Sequence, residues 1–441
     1  MFAMTLKILF EFKPLSRNRA VRGSCMSASK KHIIVVGAGI VGVSTAIWLQ
    51  RDGHDVTLID REGPAAGASF GNAGVLTSSS VAPIPSPGLW RKAPGMLFDP
   101  DQPLFLQWSA LPRLLPFLRS YLANGRADRM ETISHGLSQL LHDAPDQHAS
   151  LAAGTGAEQY VGREDYIYCY DSRADYDADK TWELRRARGV AHQEMDAGAL
   201  AAHDPALDGR FGFGVLCSNH GRISDPGAYV RALATHFEDQ GGVLAVAEIT
   251  GFKLEDGACV GVQTDAGLQT ADAYVLTTGA WSDRLRRDLG VSVPVQAERG
   301  YHVEFTKPSV QLKSTVMVTG GKFVAHSMDG RMRCAGVVEF GDVDAPASDA
   351  PIALLKRQMK RYFPELEYDE VVEWVGPRPA TPDSLPVVGV TPKASNVFVG
   401  YGHQHVGLSG GPKTGRWLSQ LATGQSPNEN LQAYAADRVM V

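Results

Sequence analysis

The sequence predicts an α/β fold, with a doubly wound parallel unit interleaved with an α+β unit that contains an antiparallel sheet. Three observations carry this. Residues 33–60 read as strand, glycine turn, helix and strand. Residues 224–277 add a capped helix and a run of strands, and Tyr301 to Phe340 reads as further strands folded at Asp329-Gly330.

Ile33 to Val36 is an apolar β-branched run, short enough for a buried parallel strand. It runs into Gly37-Ala38-Gly39-Ile40-Val41-Gly42, in G-x-G-x-x-G spacing. Gly37 permits a tight turn, Gly39 lets a pyrophosphate approach the backbone, and Gly42 lets the next helix pack closely on the strand. Ile40, Val43 and Ile47 recur at three- and four-residue steps, which predicts that helix, ending near Asp52-Gly53. A second strand, Val56 to Ile59, delivers Asp60 eighteen residues beyond Gly42, close to where a ribose-binding acid is expected. The helix N-terminus, with its free N–H groups and positive dipole end, would hold the pyrophosphate. The glycine motif alone is weak; strand, helix and acid together predict a dinucleotide site, without separating FAD from NAD.

With 441 residues the chain can bury one large or two moderate cores, so two interleaved domains are expected. A net charge of −5 argues against nucleic acid as a main partner. Five cysteines (Cys25, Cys169, Cys217, Cys259, Cys334) form no C-x-x-C pair, which points to a reducing compartment and away from a disulfide framework or cysteine-held metal. No apolar run approaches the roughly eighteen residues of a membrane span. Residues 1–31 set seven basic residues against the single acid Glu11; a transit peptide reads this way, but a start at Met26, or plain disorder, is favoured.

After Asp60, Gly67-Ala-Ser-Phe-Gly-Asn-Ala-Gly74 is a run of small residues where backbone must pass close to something flat or charged. Val81 to Leu122 is rich in Pro, Leu, Phe and Trp. Within it Leu111 to Leu122, with Arg113 and Arg119, allows a membrane-surface helix, although a helix with an internal apolar face is favoured. Glu131 to Leu200 reads as helical and polar-faced, with Tyr166, Tyr168 and Tyr170 on one side of a short strand. Ser224-Asp225-Pro226-Gly227 starts a helix that runs to Gln240. Strands follow at Leu244–Phe252, Cys259–Thr264 and Leu268–Thr277, turning at Asp256-Gly257 and Ala266-Gly267. Gly376 to Gly389 reads as a Pro-rich loop, Val397 to Val399 as a strand, and Pro412 as the first turn of the last helix.

In combination, the glycine unit, Gly67–Gly74, Ser224–Tyr229, Thr278–Ser282, Gly376–Gly389 and Gly400–Gly415 resemble the D-amino-acid oxidase superfamily of FAD-dependent oxidoreductases, and most of all bacterial D-amino-acid dehydrogenases. The resemblance spans residues 32 to about 435. It implies a Rossmann-type FAD-binding domain from 32–80, 220–290 and 376–436, interleaved with an α+β substrate domain from 81–219 and 291–375. Gly37, Ala38, Gly39, Ile40, Val41, Gly42, Asp60 and Arg61 would hold the ADP half of FAD. Ser69, Asn72, Ala73 and Gly74 would line the pyrophosphate and flavin edge, Ile249 would touch adenine, and Gly279 and Ala280 would pass near the pyrophosphate. Gly402, His403, Val406, Gly407, Leu408 and Ser409 would run beneath the flavin ring.

Arg378 matches the arginine that pairs the substrate carboxylate in these relatives, and a guanidinium fork suits that task. His405 would meet a substrate group or merely pack, and Tyr301 is a candidate active-site phenol. Gly400–Gly415 contains no cysteine, so FAD is expected to be non-covalent. The implied reaction is oxidative deamination of a D-amino acid, with electrons passing to a quinone or other carrier. The resemblance also admits a cis-4-hydroxy-D-proline dehydrogenase, a secondary-amine oxidase or a non-catalytic FAD-binding subunit. The expected location is the cytoplasm, with peripheral contact to the inner face of its membrane left open.

Overall fold

The structure is a computed structural model that describes residues 29–440. The expectations for residues 1–28 lie outside the described residues. A six-stranded sheet is ordered Val243–Val246, Asp55–Asp60, His32–Val36, Ala273–Leu276, Ala394–Tyr401 and Val387–Thr391; all neighbours are parallel except the last pair. The helices Ile40–Arg51, Pro226–Asp239 and Gly407–Ala422 share an apolar core with this sheet. Asp225 caps the second of them, accepting from Ala228 N at 2.9 Å, as the Asp-Pro pair predicts.

The largest sheet is built mainly from the order Val371–Ala380, Gln296–Thr306, Arg331–Phe340, Phe323–Met328, Thr315–Val318, Tyr166–Tyr170, Phe213–Cys217 and His192–Asp196. Most of its pairs are antiparallel, and Asp329-Gly330 turns the expected hairpin. The helix Leu111–Ala123 buries Leu114, Phe117 and Tyr121 against Phe340 and Ala380, and leaves Leu115 and Leu122 exposed. No helix among the described residues is long and apolar enough to cross a membrane.

Four sequence expectations need correction. The strands expected at Leu244–Phe252 and Leu268–Thr277 are each broken in two, because their halves bond to different sheets. Val246 pairs with Asp60 in the parallel sheet, whereas Ile249 pairs with Thr264 in a separate three-stranded meander. Gly267–Gln269 closes that meander, and Ala273–Leu276 rejoins the parallel sheet. Second, Val371–Ala380 is a strand where a Pro-rich loop was expected. It lies at the edge of the large sheet, so Pro377 and Pro379 need no outward N–H.

Third, the stretch expected to be helical from Glu131 to Leu200 also contains the strands Val161–Arg163 and His192–Asp196. Their pairing partners are distant in sequence, which local pattern does not reveal. Fourth, Pro412 lies inside the last helix, which begins at Gly407. A proline there cannot donate to the carbonyl four residues back. That carbonyl, of Leu408, instead bonds to His148 Nε2 at 2.8 Å.

Candidate active site

Between the parallel sheet and the large sheet lies a cavity of about 550 Å³. Its nucleotide end is made by the glycine turn. Gly37 sits at φ +103°, where a Cβ would come within 2.7 Å of the Thr277 carbonyl oxygen, and a Cβ on Gly42 would fall 1.8 Å from the Gly37 oxygen. Both glycines are therefore needed for the approach of strand and helix. A Cβ on Gly39, by contrast, would meet only Ser69 Oγ, and one on Gly279 would meet nothing within 4 Å; both face open space in the cavity.

Asp60 accepts from Ala38 N at 2.7 Å through Oδ2, and from Glu62 N and Gly63 N through Oδ1. A carboxylate offers about four acceptor positions, so one on Oδ2 remains for a ligand hydroxyl. Ser69 Oγ accepts from Ile40 N at 3.0 Å, at the helix N-terminus whose cap residue, Gly39, has no side chain. The 67–74 loop is held from the other side. Asn72 Oδ1 accepts from Gly74 N, Arg333 donates to the Asn72 carbonyl, and His302 Nδ1 lies 3.0 Å from the Gly71 carbonyl. Arg61 lies over the Trp281 ring at 4.3 Å.

Of the expected cofactor residues, Gly37, Gly39, Ile40, Val41, Asp60, Arg61, Ser69, Asn72, Ala73, Ile249, Gly279, Ala280, His403, Gly407 and Leu408 line this one cavity. Ala38, Gly42, Gly74, Gly402, Val406 and Ser409 stand behind its wall. Ser409 there donates to the Val75 carbonyl and accepts from Thr77 N, which ties the last helix to the 75–77 segment.

At the opposite end Arg378 and Glu298 face each other across neighbouring strands. Arg378 Nη1 donates to Glu298 Oε1 at 3.1 Å and to the Val337 carbonyl at 3.0 Å, and Nη2 donates to the Gly336 carbonyl at 3.3 Å. Gly300 makes room for this head group, since a Cβ there would come within 2.3 Å of Arg378 Cζ. Burial pushes the Glu298 carboxyl up in pKa, with Arg378 pulling against it, and Glu298 Oε2 has no partner. Tyr301 lines the cavity, but its hydroxyl is taken: it donates to Glu339 Oε2 at 2.6 Å and accepts from Ser348 N at 3.2 Å.

His405 opens onto the cavity, ringed by protein; this desolvation, with Arg378 nearby, pulls its pKa down to about 4. His403 is buried beside Thr414 Oγ1, at 2.9 Å, and is pulled down to about 3.

The sequence reading passes over Gln404, Tyr401 and Trp374, all in the cavity wall. Gln404 holds a left-handed φ of +46°, and its buried amide lies beside Tyr121 without a hydrogen bond of good geometry. The buried Tyr401 hydroxyl is likewise unpartnered. The signal for Gln404 was its place between His403 and His405; Trp374 carried none.

Burial also leaves His148, His220 and His302 near pKa 4 and His326 near 3, against an ordinary value of 6.5. Because folding depresses these values, the unfolded chain takes up protons first as pH falls. Stability from this source is complete above pH 6.5 and is lost progressively down to about pH 4. The melting temperature is expected to fall steeply across that window. A flat profile between pH 6.5 and 4.5 would contradict neutral burial.

Residues 32–421 match the family model described as DAO, FAD dependent oxidoreductase. A D-amino-acid oxidase of Bradyrhizobium diazoefficiens is 38% identical over 93% of this chain and 99% of its own length. A D-amino acid dehydrogenase of Allorhizobium ampelinum is 30% identical over 92% of this chain and 99% of its own. Among solved structures, glycine oxidase from Geobacillus kaustophilus shares the fold at a TM-score of 0.72 and 21% identity, covering 93% of this chain and 100% of that one. With the glycine cradle and the spare acceptor of Asp60 fitting FAD, the chain belongs to the DAO family of FAD-dependent oxidoreductases.

Proposed function

We propose that the protein oxidises a D-amino acid to its imino acid, which hydrolyses to a 2-oxo acid and ammonia, and that the electrons pass to a quinone or another carrier. The observation that carries this reading is the donor count on Arg378. Three of its five N–H groups are used by Glu298, Val337 and Gly336. The Nε hydrogen and one Nη2 hydrogen remain, and they share the edge of the guanidinium that takes a carboxylate through two parallel bonds. The three occupied donors hold the fork still, so a substrate carboxylate gripped there is fixed in position and rotation.

FAD, when bound, supplies the two-electron acceptor that takes the Cα hydrogen as hydride at its N5. The residues of this chain do the rest. Arg378 turns Cα–H toward the acceptor, and the neutral His405 ring accepts a hydrogen bond from the substrate amine without adding a charge beside it. The D hand is supported by the two relatives named above.

The test is anaerobic mixing of the holoprotein with D- and L-amino acids, proline derivatives and sarcosine, following loss of the oxidised flavin band. Rapid bleaching by D-amino acids is expected. Bleaching by secondary amines alone would replace the substrate class, and no bleaching by any amine would end the reading.

A further inference from the structure

We propose that the cavity contains a second anion-binding position, built on Arg185, which selects amino acids whose side chain carries a carboxylate. This deepens the reading above and rests on Arg378 as the clamp for the α-carboxylate.

Arg185 is 7% exposed and lines the same cavity. Among the described residues no carboxylate lies within ion-pair distance of it. Its Nε donates to the Ser79 carbonyl at 3.2 Å and its Nη1 to Thr181 Oγ1. Nη2 makes no hydrogen bond to a carbonyl or carboxylate, although the Tyr168 hydroxyl lies beside the guanidinium. The Asp179 carboxylate, which contributes attraction from a distance, is itself engaged by Thr181 and by the Tyr170 hydroxyl.

A buried guanidinium cannot shed its proton, and buried cations are ordinarily paired. Here the position is held by rings instead: Arg185 lies 4.5 Å from the Tyr168 ring centroid and 4.8 Å from that of Trp182. Tyr168 is fixed in turn by Ser79 Oγ at 3.0 Å, which His220 Nε2 meets at 2.9 Å. The result is an immobilised, charged and unpaired head group at a cavity wall. A ligand carboxylate would give it a direct ion pair.

Register places this head group relative to the clamp. Tyr168 stands opposite Met317, Met317 opposite Val324, and Val324 opposite Ala335, and all four line the cavity. Ala335 adjoins Gly336, whose carbonyl holds Arg378. The row is three strand spacings, or about 14 Å, long; the Arg378 head group reaches it at the Gly336 carbonyl from two strands away, and the Arg185 head group lies on the Tyr168 ring at its other end. A hydrogen-bonded carboxylate at each end takes up several of those ångströms. An amino acid of aspartate or glutamate size spans the remainder, whereas an aliphatic side chain leaves Arg185 without a partner. A site that pairs a charge rejects the neutral isostere strongly.

The experiment uses the holoprotein and reads binding separately from turnover. Glutarate and butyrate, which cannot react, are titrated while the spectrum of the bound FAD is followed, and D-glutamate is compared with D-glutamine in steady state. Glutarate is expected to bind at least tenfold more tightly than butyrate, and D-glutamate to have the higher kcat/KM. In Arg185→Gln both ratios are expected to fall to about one, with partial recovery in Arg185→Lys, which keeps the charge.

Equal affinity for the two acids in the unaltered protein overturns the proposal, and this arm needs no variant to fold. So do ratios that survive Arg185→Gln. If no amino acid reduces the flavin, the reaction reading fails by itself, and the glutarate titration still decides whether Arg185 binds an anion.

Discussion

Arg378→Ala is expected to lower kcat/KM for D-amino acids about a thousandfold, equivalent to about 4 kcal/mol of lost transition-state binding. The substitution removes the free edge that would take the carboxylate, and it also strips Glu298 of the one cation that pairs it among the described residues. Glu298 is 1% exposed, and burial already raises its pKa. Without Arg378 its carboxyl would take up a proton at higher pH still, and the single variant should melt earlier. Arg378→Ala combined with Glu298→Gln separates the two effects. The double variant is expected to recover thermal stability without recovering turnover. Full activity in a well-folded Arg378→Ala protein would remove the clamp from the mechanism.

Gly42→Ala is expected to yield protein without FAD and with stability lowered by about 3 kcal/mol or more. The added methyl carbon would sit 1.8 Å from the Gly37 carbonyl oxygen and 2.7 Å from Thr277 Oγ1, so the helix Ile40–Arg51 has to move off the sheet. Flavin content of the purified protein and its melting temperature check this. Gly39→Ala makes the informative contrast, because its methyl would meet only Ser69 Oγ, at 3.3 Å. That variant should fold normally and bind FAD weakly, since the obstruction falls in the space of the ligand. Equal FAD content in the two variants would contradict this division of labour between the glycines.

The nucleotide end of the cavity was legible because its parts are local. Ile33 to Asp60 carries strand, turn, helix and acid within one short stretch, and each rests on backbone preference or on periodicity over a few residues. The structure places Gly37, Gly39 and Asp60 together as that pattern implies. The hairpin at Asp329-Gly330 and the cap at Asp225 were legible for the same reason. The breaks at 247–248 and 270–272 were not, because a continuous run of strand-forming residues carries no mark of which sheet each half will join.

The substrate end was legible only in part. Arg378 stood out by its place in a Gly-Pro-Arg-Pro segment, yet the segment is an edge strand, and the Glu298 partner lies 80 residues earlier in the chain. Arg185 carried no sequence signal at all: it is one of two adjacent arginines on the helix Thr181–Ala187, and only the packing of Tyr168 and Trp182 around it makes it a buried charge. The sequence by itself determined the glycine cradle, which follows from short-range backbone geometry, and its resemblance to known proteins pointed to the family and the cofactor. Which charges face one another across the cavity was decided by strand register and burial alone, since pairing between distant strands sets distances that no local pattern encodes.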